Sequence, residues 1–390
     1  MNVTQTAGAE YTLYLMYISY FSGKMQAYLR YKEVPHRCVE LKWVEMVNIL
    51  YPNTGLMKVP VVRTPEGEWL QDSTPMIDWF ERRFPDGAVL PTDPLQNFFS
   101  RLLEDYADEW LWRPALHYRW SYPTDAKALS WRFAYSFLSD MPLPKAITAL
   151  NIRQRQMRIY VKGDGVSAAT RAHVENIYLH TLDRLQAIFE RQNFLLGGKP
   201  SLADFGFFAS MFRHFSQDPT PAQIMQERAP AVNEWVARLW NARHSISTGE
   251  WVAPGSLPEA WIPILRDIGE SYLPYLHANA CAWRARQPRF DYSVQGVDYR
   301  RLPTVQYRVW CRERLQQHFK ALPADAQPPV QKVLEQHGCW APLWADGEIP
   351  SRLHTGTHPP TCIPKPAGGL QKLLLYFTGT HWHVPFSRGN

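Results

Sequence analysis

The sequence predicts an α/β domain, then an all-α helical domain, then a mainly helical carboxyl-terminal extension. Three observations support this order. Within residues 10–86, short apolar runs alternate with helical patterns and one hairpin pattern. Within residues 95–245, apolar side chains recur at spacings of three and four. Within residues 246–390, helical patterns continue without repeating the first domain.

The first part of the α/β domain, residues 11–39, is predicted to form a strand, a loop and a helix. Residues 11–18 are an apolar run with the aromatic content of a buried strand. Ser19 and Ser22 follow in the loop. The first N–H groups of a helix are unpaired and favour an anion such as a thiolate, so these two hydroxyls stand where such an anion would bind. The alternative interpretation is a hydroxyl that only caps the helix.

The second part of this domain predicts two strands and a helix. Residues 58–62, KVPVV, place a proline at the start of a β-branched strand. A cis Val59–Pro60 bond would turn the backbone of Val59 towards a peptide-like ligand. A turn and a hairpin partner come next, and residues 71–75, QDSTP, begin a helix. Ser73 or Thr74 is its predicted N-cap.

These motifs resemble a known family. The S-x-x-S-x-K segment at residues 19–24, the K-V-P at 58–60 and the Q-D-S at 71–73 resemble the thioredoxin-like amino-terminal domain of glutathione transferases. The G-x-x-S-x-A-D pattern at 198–204 resembles the capping box in the helical domain of the same family. The resemblance covers residues 10–245 and implies that Asp204 is a folding residue. It leaves the extension, residues 246–390, without an assigned role.

The helical domain is expected to begin with a long helix over residues 95–120. Four of its side chains fall on one stripe if the proline at 114 only kinks the helix. In the resembled family the corresponding helix borders the pocket for the second substrate, which makes the stripe a predicted wall of that pocket. Packing into the core is the alternative for these residues, which are Tyr106, Trp110, Arg113 and His117.

The resemblance implies a serine-type mechanism. Ser19 occupies the position at which serine-type members place the hydroxyl that stabilises the glutathione thiolate, and Ser22 is the second candidate. Neither position is a cysteine. Conjugation, isomerisation or thiolytic cleavage is therefore favoured over thiol–disulfide reduction.

Glutathione, as cosubstrate, is the one cofactor that the resemblance implies. By position, the backbone of Val59 would pair with the cysteinyl unit, Ser73 would hold the γ-glutamyl carboxylate and Asp72 would face the ammonium group. The family more often has glutamate where this chain has Asp72, and proline where it has Tyr20. The complete set of predicted glutathione-binding residues is Tyr20, Phe21, Lys58, Val59, Pro60, Asp72 and Ser73.

Composition limits the partners. The net charge of +6 over 390 residues is mild, and no dense basic stripe with interleaved aromatics indicates nucleic-acid binding. No apolar run has the length of a membrane span, and the amino terminus lacks a signal-like region, so we expect a soluble cytoplasmic protein with no membrane partner. The resemblance alone implies a homodimer.

No metal is expected from the sequence. The cysteines are odd in number and scattered, which indicates neither a disulfide scaffold nor a zinc site. Four histidines near the carboxyl terminus have spacings that a metal allows, but no cysteine or carboxylate cluster accompanies them. They are His354, His358, His381 and His383.

Three functions remain open at this point. The first is a glutathione transferase-like enzyme that activates the thiolate with a serine hydroxyl for attack on a hydrophobic electrophile. The second is a glutathione-dependent isomerase or ether-cleaving lyase, which would use the same donor. The third is a non-catalytic binding or scaffold protein. An extension that plugs the cleft would favour the scaffold, and an open cleft would favour an enzyme.

Overall fold

The computed structural model describes residues 10–353, together with residues 368, 369 and 372. The four histidines considered above as metal ligands lie outside the described residues. The sequence also predicts a hairpin over residues 370–386, and all of this range except residue 372 lies outside the described residues. Within the described part, no helix combines the length and the apolarity needed to cross a membrane.

The first domain is built on a four-stranded sheet in the order β2-β1-β3-β4. β1 pairs in parallel with β2 and antiparallel with β3, and β3 pairs antiparallel with β4. Every residue of β1 is buried, which explains why its sequence is apolar without alternation. The strands are β1 (Tyr11–Leu15), β2 (His36–Glu40), β3 (Val61–Arg63) and β4 (Trp69–Gln71). The predicted thioredoxin-like arrangement is confirmed.

The helices of the first domain are α1 (Tyr20–Tyr31), α2 (Trp43–Glu45), α3 (Tyr51–Thr54) and α4 (Ser73–Arg83). α1 is almost entirely buried because it packs against α4 on one side and against the second domain on the other. This central position fixes the start of α1, where Ser19 lies.

The second domain is all-helical, as predicted. Its helices are α5 (Pro94–Trp110), α6 (Trp112–Ser121), α7 (Pro123–Tyr135), α8 (Lys145–Gln156), α9 (Arg171–Phe189), α10 (Leu202–Ser210), α11 (Pro219–Arg228) and α12 (Pro230–Asn241). α10 is buried along its whole length and packs against α1 and α5. The predicted capping box of Ser201 and Asp204 begins this helix. Gly206 allows the close approach to α5, since a Cβ there would lie 2.6 Å from the Cα of Glu104.

The long helix predicted over residues 95–120 is divided. It breaks at Leu111, whose ψ of −8° departs from helical geometry, and α6 begins directly afterwards. Pro114 then lies in the first turn of α6, where a missing N–H costs no hydrogen bond. The proline therefore follows a helix boundary instead of kinking one helix.

The extension is mainly helical and packs onto the first two domains. Its elements are α13 (Ile262–Asp267), α14 (Leu273–Arg284), β5 (Arg289–Val294), β6 (Val297–Pro303), α15 (Gln306–Lys320), α16 (Gln327–Gln336) and α17 (Trp340–Trp344). The apolar spacing of residues 304–321 predicts an amphipathic helix, and α15 forms there and lies against α5. One continuous hydrophobic core contains side chains from all three parts of the chain.

The β5–β6 hairpin was not predicted. Its two-residue turn, Gln295 and Gly296, has positive φ angles of 49° and 78°, as a type I′ turn requires. The burial of β5 alternates residue by residue. The signals in the sequence are the Gln-Gly pair and the alternating apolar residues Phe290, Tyr292 and Val294.

Candidate active site

A cleft of about 490 Å³ lies where the three parts of the chain meet. The first domain contributes the loop after β1 and residues 57–60 and 71–73, and the second domain contributes side chains of α6, α7 and α8. The extension contributes Val305, Tyr307 and Arg308. The volume lies in the range of about 300–1,000 Å³ that is typical of small-molecule sites.

Ser19 lines the cleft at the amino-terminal end of α1. It is the N-cap of that helix, and its Oγ accepts a long hydrogen bond of 3.4 Å from the backbone N–H of Ser22. Among the described residues, the Ser19 hydroxyl donates to no acceptor, so its proton is available to a ligand in the cleft. The hydroxyl therefore combines a donor with the positive end of a buried helix.

Ser22, the second predicted catalytic residue, is placed differently. Its side chain is buried and does not line the cleft. Its Oγ accepts a hydrogen bond of 3.3 Å from the backbone N–H of Met16. Ser22 thus holds the loop that carries Ser19.

The seven predicted glutathione-binding residues all line the cleft. The Val59–Pro60 bond is cis, as expected from the sequence. The Gln71 side chain fixes this loop because its Nε2 donates to the carbonyl oxygen of Lys58 at 2.8 Å. Tyr20 is anchored below the cleft, where its hydroxyl donates to the carbonyl oxygen of Ala107 at 2.6 Å.

Asp72 has a position that the sequence did not reveal. Asp72 is the N-cap of α4, because its Oδ1 accepts a hydrogen bond from the backbone N–H of Thr74 at 3.3 Å. The sequence predicts Ser73 or Thr74 at this position, and that prediction is wrong. Its φ of 76° lies in the left-handed region, an unusual conformation for a non-glycine residue. Burial raises the pKa of the Asp72 carboxyl to about 6, against the hydrogen bond from the hydroxyl of Tyr307. Ser73 lies beside it in the first turn of α4.

The predicted wall of the second-substrate pocket is corrected by the structure. None of Tyr106, Trp110, Arg113 and His117 lines the cleft, and all four are buried. The Tyr106 hydroxyl donates to Asp267 of the extension at 2.6 Å, and Arg113 donates to the carbonyl oxygen of Asp164 at 2.9 Å. The extension covers the face of the helix on which Tyr106 and Trp110 lie. Because the helix breaks at Leu111, Arg113 and His117 do not continue the predicted stripe.

A different face of α6 forms the apolar wall. Trp112 lies in the cleft and stacks on Phe21 with ring centroids 5.9 Å apart. Leu116 continues this wall along α6, and further apolar side chains come from α7 and from the loop before α8. These cleft residues missed by the sequence analysis include Trp120, Phe133, Phe137, Met141 and Leu143.

Tyr160 brings a polar group to the apolar side of the cleft, as do Asn151, Arg155 and Gln156 of α8. Its ring meets Trp112 edge-on at 6.0 Å, and its hydroxyl lies 3.5 Å from the Nζ of Lys58. Burial raises the pKa of the Tyr160 phenol, but the positive charges of Lys58 and Arg155 outweigh it, so the pKa is lowered overall. Lowered phenol pKa values in a cleft are typical of functional groups. No spacing in the sequence connects Tyr160 with Lys58.

The comparison with protein families agrees with the fold of the first two domains. Residues 13–88 match the family described as glutathione S-transferase, N-terminal domain. Residues 168–238 match the family described as glutathione S-transferase, C-terminal domain. Residues 13–88 and 168–238 therefore carry the two domains that make up glutathione S-transferases. A comparison with curated protein sequences gives no match.

Several solved structures are similar to this chain. A glutathione S-transferase from Methylobacterium radiotolerans, in complex with glutathione sulfonate, is 21% identical; the match covers 60% of this chain and 91% of that one, with a TM-score of 0.37. The beta-etherase LigF from Sphingobium is 19% identical, with coverages of 59% and 94% and a TM-score of 0.43. FzlA from C. crescentus is 16% identical, with coverages of 66% and 92% and a TM-score of 0.40.

Charged groups from α5 and from the extension gather at one end of the cleft. Arg308 on α15 donates to Glu109 at 3.1 Å and to Asp164 at 3.2 Å. Asp108, next along α5, pairs with Lys24 and has a second oxygen, Oδ1, that is buried without a hydrogen-bond partner among the described residues. Burial raises the pKa of Asp108 more than the Lys24 charge lowers it. This end of the cleft is therefore rich in carboxyl groups.

Proposed function

We propose that this protein is a glutathione-dependent transferase in which the Ser19 hydroxyl activates the thiol for attack on a hydrophobic electrophile. The observation that carries the proposal is the position of Ser19, in the cleft and at the amino terminus of α1. A free thiol has a pKa of about 8.5, so at neutral pH most of it is protonated. A hydrogen bond to sulfur and the positive end of a helix both favour the thiolate.

The remainder of glutathione fits along the first domain. The backbone of Val59 would pair with the cysteinyl unit, and Ser73 with the first turn of α4 would take the γ-glutamyl carboxylate. Asp72 would face the ammonium group, in a region where Asp108 and Glu109 add further carboxyl groups. The support for this arrangement is that all these residues line one cleft.

The electrophile would occupy the apolar side of the cleft. Trp112, Leu116 and Phe133 offer apolar surface, which favours an aromatic or otherwise hydrophobic second substrate. Tyr160 is the group that would donate a hydrogen bond to negative charge developing on this substrate. Its lowered pKa makes it a stronger acid than an ordinary tyrosine.

The position of the extension supports an enzyme over a scaffold. It contributes three residues to the cleft wall and leaves a volume of about 490 Å³. A scaffold that had lost turnover would have no need for this space. Isomerisation and ether cleavage would use the same serine donor. They differ from conjugation only in the second substrate and in what the thiolate does to it.

The test is calorimetric titration of glutathione into the wild type and into Ser19→Ala, combined with an ultraviolet difference spectrum for bound thiolate. We expect the wild type to bind with thiolate absorbance. The variant should bind but lose the absorbance, and its turnover of activated aryl halides should fall by about 10- to 100-fold, the value of a hydrogen bond to a charged group.

The control for this experiment is Ser256→Ala, which removes an exposed serine hydroxyl outside the cleft. It should behave as the wild type. If the wild type does not bind glutathione at millimolar concentration, the enzyme proposal is wrong and the scaffold is favoured. If it binds and Ser19→Ala keeps the absorbance, another donor activates the thiol.

A further inference from the structure

Three potential metal ligands come together in the extension, and none of them lines the cleft. His277 and Cys281 lie four residues apart on α14 and therefore share one face of that helix. Asp346 approaches them from the turn after α17. The Nε2 of His277 lies 3.3 Å from Oδ2 of Asp346. The Sγ of Cys281 lies 3.6 Å from each of these two atoms.

These distances agree with the edges of a zinc coordination tetrahedron. Zinc binds cysteine sulfur at about 2.3 Å, histidine nitrogen at about 2.0–2.1 Å and carboxylate oxygen at about 2.0–2.2 Å. Tetrahedral angles then separate the ligand atoms by roughly 3.3–3.6 Å. We propose that His277, Cys281 and Asp346 form a zinc site whose fourth position is open to water.

The donor set selects the metal. A thiolate with an imidazole and one carboxylate suits zinc, whereas magnesium and calcium require mostly oxygen ligands. The thiolate and the carboxylate together neutralise the two positive charges of the ion. Because Nδ1 of His277 lies almost as close to the sulfur as Nε2, at 3.8 Å, the ring must turn to aim one nitrogen at the ion. The side chain of His277 is 24% exposed, which leaves room for this rotation.

Arg284 prepares the carboxylate for this role. Its Nη2 donates to Oδ1 of Asp346 at 2.9 Å, which leaves Oδ2 directed at Cys281 and His277. Hydrogen bonds to the outer oxygen of a ligating carboxylate are the usual second contact of metal sites. The side chain of Asp346 is 46% exposed, so an ion can enter from solvent. Bound zinc would tie α14 to the end of α17.

The sequence predicts no zinc site because the cysteines are scattered. Cys281 and Asp346 lie 65 positions apart, a separation that no short motif describes. Only the packing of α17 against α14 brings the third ligand to the first two. The proposal is independent of glutathione binding, so neither depends on the outcome of the other.

The experiment uses the full chain, stripped of metal with a chelator and then titrated with Co²⁺ as a spectroscopic probe and with Zn²⁺ by calorimetry. We expect one equivalent of metal and a thiolate-to-cobalt charge-transfer band in the near ultraviolet. Cys281→Ser should abolish the band, and Arg284→Gln should weaken zinc binding by about tenfold, as is typical for loss of a second contact. Zinc should raise the melting temperature of the wild type but not of Cys281→Ser.

Cys38→Ser is the matched control, because Cys38 is a free, half-buried cysteine in the first domain. It should keep both the band and the zinc affinity. The circular dichroism spectrum of each metal-free variant checks that it is folded. Absence of a stoichiometric metal in the folded wild type, or persistence of the cobalt band in Cys281→Ser, would overturn the proposal. The cluster would then be a hydrogen-bonded surface contact.

Discussion

The hydroxyl of Tyr307 donates a hydrogen bond to Oδ2 of Asp72 at 2.8 Å. The two residues are 235 positions apart, and they join the extension to the turn that begins α4. Asp72 has a left-handed backbone, a conformation that surrounding contacts must maintain. Tyr307 supplies one such contact, so the extension helps to shape the end of the cleft at which we place the γ-glutamyl group.

Replacing Tyr307 with phenylalanine should weaken glutathione binding. The hydrogen bond from Tyr307 holds down the pKa of Asp72, which burial has raised to about 6. Without it the pKa rises further, and less of the carboxyl is ionised at pH 7 to attract an ammonium group. A loss of about 1–1.5 kcal/mol corresponds to a rise of about one pKa unit, so the ionised fraction should fall from about nine-tenths to about half at pH 7. We therefore expect the Kd to increase about twofold at pH 7 and about fivefold at pH 6, measured by calorimetry.

The pH dependence tests the same relationship. In the wild type, affinity for glutathione should fall as the pH is lowered through about 6, because Asp72 becomes protonated. In Tyr307→Phe this fall should begin at a higher pH. Tyr135→Phe removes the hydroxyl of an exposed tyrosine and is the control. Equal affinities of the wild type and Tyr307→Phe from pH 5 to 8 would contradict the prediction.

Arg308 should be essential for attaching the extension. It is buried between Glu109 and Asp164, so Arg308→Met removes a cation from two buried carboxylates. Breaking such a pair from one side costs about 3–5 kcal/mol of unfolding free energy, measured by urea denaturation. The comparison is Arg300→Met, because Arg300 is 64% exposed and pairs with exposed aspartates; its loss should cost less than about 1 kcal/mol. Similar losses in both variants would contradict this assignment.

The parts of the fold that were predicted correctly depend on local signals. The Ser201–Asp204 capping box is a four-residue pattern, and it forms as expected with the Ser201 N–H donating to Asp204 at 2.9 Å. The strands of the first domain are short apolar runs beside a characteristic proline. In both cases the residues that determine the structure are close in sequence.

The parts that were missed depend on packing between distant segments. Nothing in the sequence near Tyr307 indicates that it contacts Asp72, and nothing near Tyr160 indicates Lys58. The stripe predicted to line the pocket lies on a buried face, because the helix breaks at Leu111 and Tyr272 of the extension packs against Trp110. Side-chain periodicity identifies a buried face, but it does not say which neighbour buries it.

Acid should destabilise the protein partly through His318. The Nε of Arg314 donates to Nε2 of His318 at 3.1 Å, which requires a neutral imidazole. Burial, with the charges of Arg101 and Arg314, lowers the pKa of His318 to about 3. Below about pH 6.5 the imidazole of His318 is protonated in the unfolded chain, whereas in the folded chain it stays neutral down to about pH 3. The free energy of unfolding therefore falls by about 1.4 kcal/mol per pH unit over this interval.

His318→Gln removes this titration while retaining an acceptor for Arg314. Its free energy of unfolding, measured in urea at pH 7, 6 and 5, should decline less steeply than that of the wild type. The exposed His180 provides a control, because His180→Gln should keep the wild-type slope. If His318→Gln and the wild type decline in parallel, His318 accepts its proton in the folded state.

Tyr160 should act on the electrophile and not on glutathione. Tyr160→Phe removes the hydroxyl but keeps the ring against Trp112. Turnover of an α,β-unsaturated carbonyl, which develops negative charge on oxygen, should fall by about 10- to 100-fold while glutathione affinity is unchanged. In the wild type, kcat should also fall at alkaline pH as Tyr160 loses its proton, and this fall should be absent from the variant.

Lys58→Met separates this role from simple packing. The Lys58 charge lowers the pKa of Tyr160 against the effect of burial, so its removal should raise that pKa and move the alkaline fall in kcat to higher pH. If the role of Tyr160 is only structural, kcat of Lys58→Met and of the wild type should depend on pH in the same way. Because Lys58 is itself among the predicted glutathione contacts, kcat must be measured at saturating glutathione. If Lys58→Met changes only the KM for glutathione, Lys58 is a binding residue and the proposed role of Tyr160 in the reaction is wrong.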